Sequence, residues 1–138
     1  MMQFFAFISE NWMLASAWLA FFFLLIISES ARGGKGLTPQ EVTIKVNNES
    51  AVVLDVRKNE DFRKGHVPNA INIPSAVIKD RLSELEKHKA KPIIVVCQTG
   101  TTAGSAGAEL RKAGFTEVYR MKGGLMEWQA SSMPLVKS

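Results

Sequence analysis

An α/β fold built on a parallel sheet, preceded by one apolar helix, is what this 138-residue sequence predicts. Three observations predict it. Short aliphatic runs recur between residues 52 and 121, and they are continuous rather than alternating, the pattern of strands covered on both faces. Helical stretches separate these runs, as the crossover between parallel strands requires. The apolar content, 46% of the chain, is also unevenly shared: residues 1–30 hold 22 apolar residues, two acids (Glu10 and Glu29) and no lysine or arginine.

The first element is the apolar one. From Trp12 to Ile27 Ser16 is the only polar residue. Those sixteen residues make about 24 Å of helix, slightly under a hydrocarbon core of about 30 Å. Extension over Asn11 and Ser28 closes most of the gap, and Phe4, Phe5 and Phe7 can lie in the interface before it. A soluble helix is rarely apolar all round. A cleaved signal peptide normally opens on a basic stretch, which residues 1–11 lack, and the small-residue cleavage pattern after Ile27 is poor. Residues 1–30 are therefore expected to be a retained single-pass anchor, with the lipid bilayer as partner. Arg32 and Lys35 follow the span and no base precedes it, which by the positive-inside rule puts the N-terminus outside and the rest in the cytoplasm. Ser16 and Ala20 form a small-residue pair of the kind found at helix–helix contacts, although lipid exposure explains it as well.

Residues 31–37 read as a Gly-rich basic linker, with bases that can also meet anionic lipid. The Gly34-Lys35 pair fails as a phosphate-binding loop, having no glycine five residues before the lysine and no Ser or Thr after it. Residues 38–138 are then the folded domain. Thr38 can cap a helix, Pro39 suits its first turn and Glu41 can complete a capping box. Val52–Val56, Ile71–Ile73, Ile93–Val96 and Glu117–Met121 are the expected strands. Arg81–Lys89 is an expected helix with Leu82 and Leu85 inward, and Ala103–Ala113 another, ended by Gly114.

The charge balance excludes some function classes. Residues 31–138 carry 17 bases against 11 acids, a net charge of +6. Bases and acids interleave along 57–64 and 79–91 without a stacking pattern of aromatics, so a nucleic-acid partner is not expected. One cysteine excludes a disulfide scaffold and fits a reducing compartment. One cysteine and two distant histidines, His66 and His88, make no metal site, and no cofactor is expected. His88 lies in a charged stretch and is expected to be solvated.

Chemistry is expected where the strand Ile93–Val96 runs into Cys97-Gln98-Thr99-Gly100-Thr101-Thr102 and an alanine-rich helix. In open α/β sheets ligands bind at the carboxyl ends of strands. Successive loop N–H groups and a helix N-terminus cradle an anion and favour a thiolate, the reactive form of a cysteine. Gly100 lets the loop curl and the threonine hydroxyls add donors. A buried cysteine acting as a small hydrophobe is the competing reading. A phosphatase-type loop would need arginine where Ala103 stands, and a thioredoxin-type pair a second cysteine where Gly100 stands.

The segment Leu54-Asp55-Val56-Arg57, then Asp61-Phe62 and Gly65-His66-Val67-Pro68-Asn69-Ala70-Ile71-Asn72-Ile73-Pro74, resembles the rhodanese (sulfurtransferase) family. So does Cys97 with Gly100, Ala106 and Leu110, and so does the ending Gly123-Gly124, Trp128, Pro134. The resemblance spans about 100 residues, 38–136. It implies a five-stranded parallel sheet flanked by helices, and a Cys97 that accepts a sulfane sulfur as a persulfide from thiosulfate or another persulfide. A thiol or cyanide would be the acceptor. It also gives Asp55 and Arg57 a bracing role, while His66 is either a base or a packing residue of its turn. One departure stands out: active members commonly carry arginine where Thr102 stands, so the loop has no positive charge. A tethered interaction module that kept the fold is the alternative function.

Overall fold

The computed structural model describes residues 1–32, 34–100 and 102–137, which divide into two compact units, Met1–Ala31 and Arg32–Ser138. The second unit holds a five-stranded sheet of β1 (Lys35–Leu37), β2 (Val52–Asp55), β3 (Ile71–Asn72), β4 (Ile93–Val96) and β5 (Val118–Met121). Every pairing is parallel, and the spatial order is β1-β5-β4-β2-β3. The expected parallel α/β architecture is therefore present.

The continuous apolar runs have the anticipated cause. Successive strand residues point to opposite faces, and both faces are covered. Val53, Ile94, Val96 and Met121 pack with Val42 of α3 (Pro39–Glu49) and with Leu125 and Trp128 of α7 (Gly124–Ala130). Leu54, Ile93, Val95 and Val118 face the other way, against Ile78 of α5 (Ile78–Arg81), Leu85, and Ala103, Ala106 and Leu110 of α6 (Ala103–Lys112). All four residues of β4 are fully buried, as befits the central strand. The short helix α4 (Asn59–Lys64) follows β2. Thr38 caps α3 by accepting the Glu41 N–H on its hydroxyl at 3.3 Å, with Pro39 in the first turn.

Two expectations in this unit are corrected. Lys35–Leu37, read as linker, is the edge strand β1, in register with Tyr119–Met121. Three residues carry too short a pattern to be recognised alone; pairing with β5 makes them a strand. Arg81–Lys89, read as one helix, is the end of α5 followed by 3₁₀ turns over Leu82–His88. Leu85 is still buried, so the inward face was right and the winding tighter.

The first unit is a bent pair of helices. α1 (Met2–Glu10) ends at Asn11, whose backbone and side-chain N–H groups both donate to the Phe7 carbonyl, at 3.1 and 3.0 Å. α2 (Trp12–Arg32) starts at the next residue, and the two axes diverge by 83°. Among the described residues no single helix holds an apolar stretch long enough to cross a membrane, and Met2–Glu10 and Trp12–Ser28 reach the length and composition of a span only as a bent pair. The run Trp12–Ile27 is helical as expected, within α2, and Phe4, Phe5 and Phe7 before it lie on the separate helix α1.

Candidate active site

Cys97 is the first residue after β4, at the carboxyl edge of the sheet. Strand alternation sends its side chain to the α6 side, where it packs in the core cluster of Leu54, Val95, Ala103 and Ala106. It is 3% exposed, and its Sγ accepts the Gly100 N–H at 2.8 Å. That bond needs the chain to fold back within three residues, and Gly100 does so at φ +93°. The sulfur therefore sits beneath a curled loop with a backbone N–H dipole aimed at it.

The loop is held from behind by α7. Leu125 N–H donates to the Cys97 carbonyl at 2.8 Å and Met126 N–H to the Gln98 carbonyl at 3.2 Å. A helix N-terminus has free N–H groups to give, and here they meet the loop's carbonyls rather than a ligand. So close an approach explains the paired glycines. Gly124 has φ +59°, and a Cβ there would overlap the Cys97 carbonyl and lie 2.8 Å from the Gln98 oxygen. Sequence reading placed Gly123-Gly124 in a family pattern but missed this clamp. The doubled glycine before a helix was the available signal.

Beside the loop lies a buried charged pair. Asp55 ends β2 and is wholly buried; Arg57 is 8% exposed. Arg57 donates from Nε to Asp55 Oδ1 at 3.0 Å and from Nη2 to Oδ2 at 2.7 Å, the two-pronged geometry. Nη2 also donates to the Gly65 carbonyl at 2.8 Å, and Nη1 reaches Gln98 Oε1 at 3.5 Å. Asp55 Oδ1 further accepts the Arg57 backbone N–H at 3.0 Å. Asn72, which sequence reading overlooked, donates its side-chain amide to the carbonyls of Asp55 and Arg57 at 3.1 and 3.0 Å. Asp55 and Arg57 accordingly brace the turn after β2, and Gln98 is the link between that brace and the cysteine loop.

His66 belongs to a different cluster. Its ring stacks on Phe62 at 3.8 Å between centroids and 9° between planes. Nδ1 lies 2.8 Å from the Phe62 carbonyl, which can only accept, so Nδ1 carries the proton. Its backbone pairs with Val136 in an antiparallel bridge. These contacts assign it to packing. Gln98, Thr99 and Gly100 form the loop with Cys97; Thr102 is exposed at the N-cap of α6 without a side-chain capping bond; Thr101 lies outside the described residues. No described loop residue is charged. Charge instead lines a pocket of about 170 Å³ beside Gln98, between Arg57, Asp61, Lys64 and Gln129. His88, expected to be solvated, is half-buried, with Nδ1 enclosed and unpartnered. Among the described residues no group of three or more His, Cys, Asp or Glu side chains is placed to hold a metal ion.

A lone cysteine under a curled loop at the edge of a parallel sheet, braced by a buried Asp–Arg pair, defines a class of cysteine-centred α/β domains. Residues 38–131 match the family described as the rhodanese-like domain, and the chain belongs to that family. It is 36% identical over 141 residues to the uncharacterized protein YibN of Escherichia coli strain K12, covering 99% of both chains. It is 32% identical over 93 residues to the thiosulfate sulfurtransferase GlpE of Pseudomonas savastanoi pv. phaseolicola, across 67% of this chain and 86% of that one. The solution structure of the rhodanese-like domain of the Anabaena protein Alr3790 superposes with a TM-score of 0.67 at 27% identity, over 75% of this chain and 79% of that domain.

Proposed function

We propose that the chain is a membrane-anchored sulfurtransferase that carries a sulfane sulfur on Cys97. The single observation behind this reading is the Cys97 sulfur held under the Gly100 N–H at the end of the central strand; the likeness to a thiosulfate sulfurtransferase supports it. In the first half-reaction the Cys97 thiolate attacks the outer sulfur of the donor. A Cys97–sulfur bond forms, the donor's sulfur–sulfur bond breaks, and the leaving group (sulfite from thiosulfate, a thiolate from a persulfide) departs with the electron pair. In the second, a thiolate or cyanide attacks the terminal sulfur of the persulfide and returns Cys97 as a thiolate. Loop N–H groups hold the negative charge throughout.

Thr102 decides between donors. Thiosulfate is a dianion, and a guanidinium at this position would clamp it in two-pronged fashion. Loss of one charge-assisted contact is worth about 1.5–3 kcal/mol, so about ten- to hundredfold weaker use of thiosulfate is expected, and persulfide donors are favoured. A second reading, a tethered interaction module with little turnover, draws on the same uncharged loop. The anchor is residues 1–30, with the N-terminus outside and the rhodanese domain at the cytoplasmic face of the bacterial inner membrane. The bases Arg32 and Lys35 after the apolar stretch support that orientation.

Persulfide trapping by mass spectrometry on the detergent-solubilised full chain separates the two readings. Wild type is expected to gain one sulfur atom from a low-molecular-weight persulfide, and Cys97→Ser none. No adduct from any donor overturns the enzyme. A cysteine introduced at Met2 in the Cys97→Ser background is expected to react with an impermeant thiol reagent on intact cells; protection until lysis reverses the orientation.

A further inference from the structure

We propose that α1 is a membrane-interface helix lying flat among the lipid headgroups, at right angles to a span formed by α2; this rests on the anchor reading above. Three observations carry it. First, α2 runs for 21 residues, about 31 Å. It matches a hydrocarbon core of about 30 Å only with its polar end after Ile27 included, while the 83° bend leaves α1 unable to lengthen it. Its nine residues measure about 13 Å, and at that angle they add about 2 Å along α2. With α2 along the membrane normal, α1 runs in the plane of the surface.

Second, the two helices differ in the way the two placements require. α2 is apolar on all sides from Trp12 to Ile27 save Ser16. On α1 the large residues Phe4, Phe5, Phe7 and Ile8 share an arc of about 160°, and the polar residues Gln3, Ser9 and Glu10 occupy the opposite side together with Ala6 and one large apolar residue, Met2 at the helix start. Phe4, Phe5, Phe7 and Ile8 are exposed within the unit. A one-sided apolar helix of this kind buries its apolar arc at the boundary of headgroups and acyl chains and leaves its polar arc in water. Third, the junction itself is polar. Glu10 and Asn11 stand between the helices, Asn11 ending α1 through the Phe7 carbonyl, and Trp12 follows as an interfacial anchor. Two adjacent polar side chains are costly inside hydrocarbon and at home at its surface.

The test uses the full-length chain, Cys97→Ser, in vesicles of phosphatidylethanolamine and phosphatidylglycerol. Single cysteines at Phe4, Ile8, Gln3 or Leu19 carry an environment-sensitive fluorophore, read with nitroxide lipids of graded depth and with aqueous iodide. Equal, shallow depth at positions 4 and 8, stronger iodide quenching at position 3, and a deep label at position 19 are expected. Depths at 4 and 8 that differ by about 6 Å, one turn along the normal, overturn the proposal. So does a position 4 label that iodide reaches as freely as position 3 while position 19 stays deep; the anchor then survives and α1 is in water. A position 19 label outside the lipid defeats the anchor and the interface helix together.

Discussion

The two halves of the site are built from opposite materials. The loop after β4 is small, uncharged among its described residues, and shaped by backbone: a glycine at φ +93°, one N–H on the sulfur and two α7 N–H groups on its carbonyls. The turn after β2 is shaped by charge, with a fully buried carboxylate and a guanidinium spent on it. The difference shows where positive charge has gone. Arg57 stands beside the loop yet points its strong bonds at Asp55 and Gly65, and only a long contact of 3.5 Å reaches Gln98. Charge here holds the scaffold, and the backbone holds the sulfur.

The largest effect that would break this division comes from Asp55→Ala, which strands a buried guanidinium. A loss of about 3–5 kcal/mol is expected in denaturant unfolding of the rhodanese transition. The double variant Asp55→Leu, Arg57→Met removes both charges and is expected to recover much of that loss; equal instability of single and double variants would mean that the pair matters by shape. Next is Gly124→Ala. A left-handed φ and overlap with the Cys97 carbonyl together cost about 2–4 kcal/mol, and persulfide formation falls because the loop is pushed out of place. Full persulfide formation with unchanged stability would show that α7 does not clamp the loop.

Thr102→Arg sharpens the comparison by putting charge into the uncharged half. The site is exposed and its hydroxyl makes no capping bond, so the fold tolerates the change. Thiosulfate turnover is expected to rise by about ten- to hundredfold with persulfide turnover little altered; no gain would place the limit elsewhere. The smallest effect is away from both halves. Burial foremost, then Lys91 and Lys87, hold the His88 pKa below its ordinary value. The native state thus resists a proton that the unfolded chain accepts once pH falls below about 6.5. Stability present at neutral pH is lost as pH falls from there through the native pKa, and His88→Gln is expected to flatten that slope in melts between pH 7 and 5.

What could be read from residues was what residues specify locally. The β4 run Ile93–Val96 and the Thr38-Pro39-Glu41 helix start are strong short-range signals, and both stand as expected. Cys97 and its loop followed from their place after that run. Other features arise only on assembly. Lys35–Leu37 becomes a strand because β5 lies beside it, and Gly124 matters because the Cys97 carbonyl arrives next to it. Asn72 looks like a turn residue until two carbonyls from the end of β2 converge on its amide. The bend at Asn11 was passed over because a polar residue at the edge of an apolar run reads as a boundary rather than a corner.

The pairing of the first strand with the last has a consequence for biogenesis. β1 can find its place only beside β5, and Cys97 is clamped only by residues 125 and 126, which leave the ribosome after it. Because the chain emerges at about 5–20 residues per second, Cys97 leaves the ribosome seconds before the residues that clamp its loop. In that interval the cysteine is an open thiol on a nascent chain. Chains that stop before residue 125 carry Cys97 without the two N–H groups that hold its loop in place.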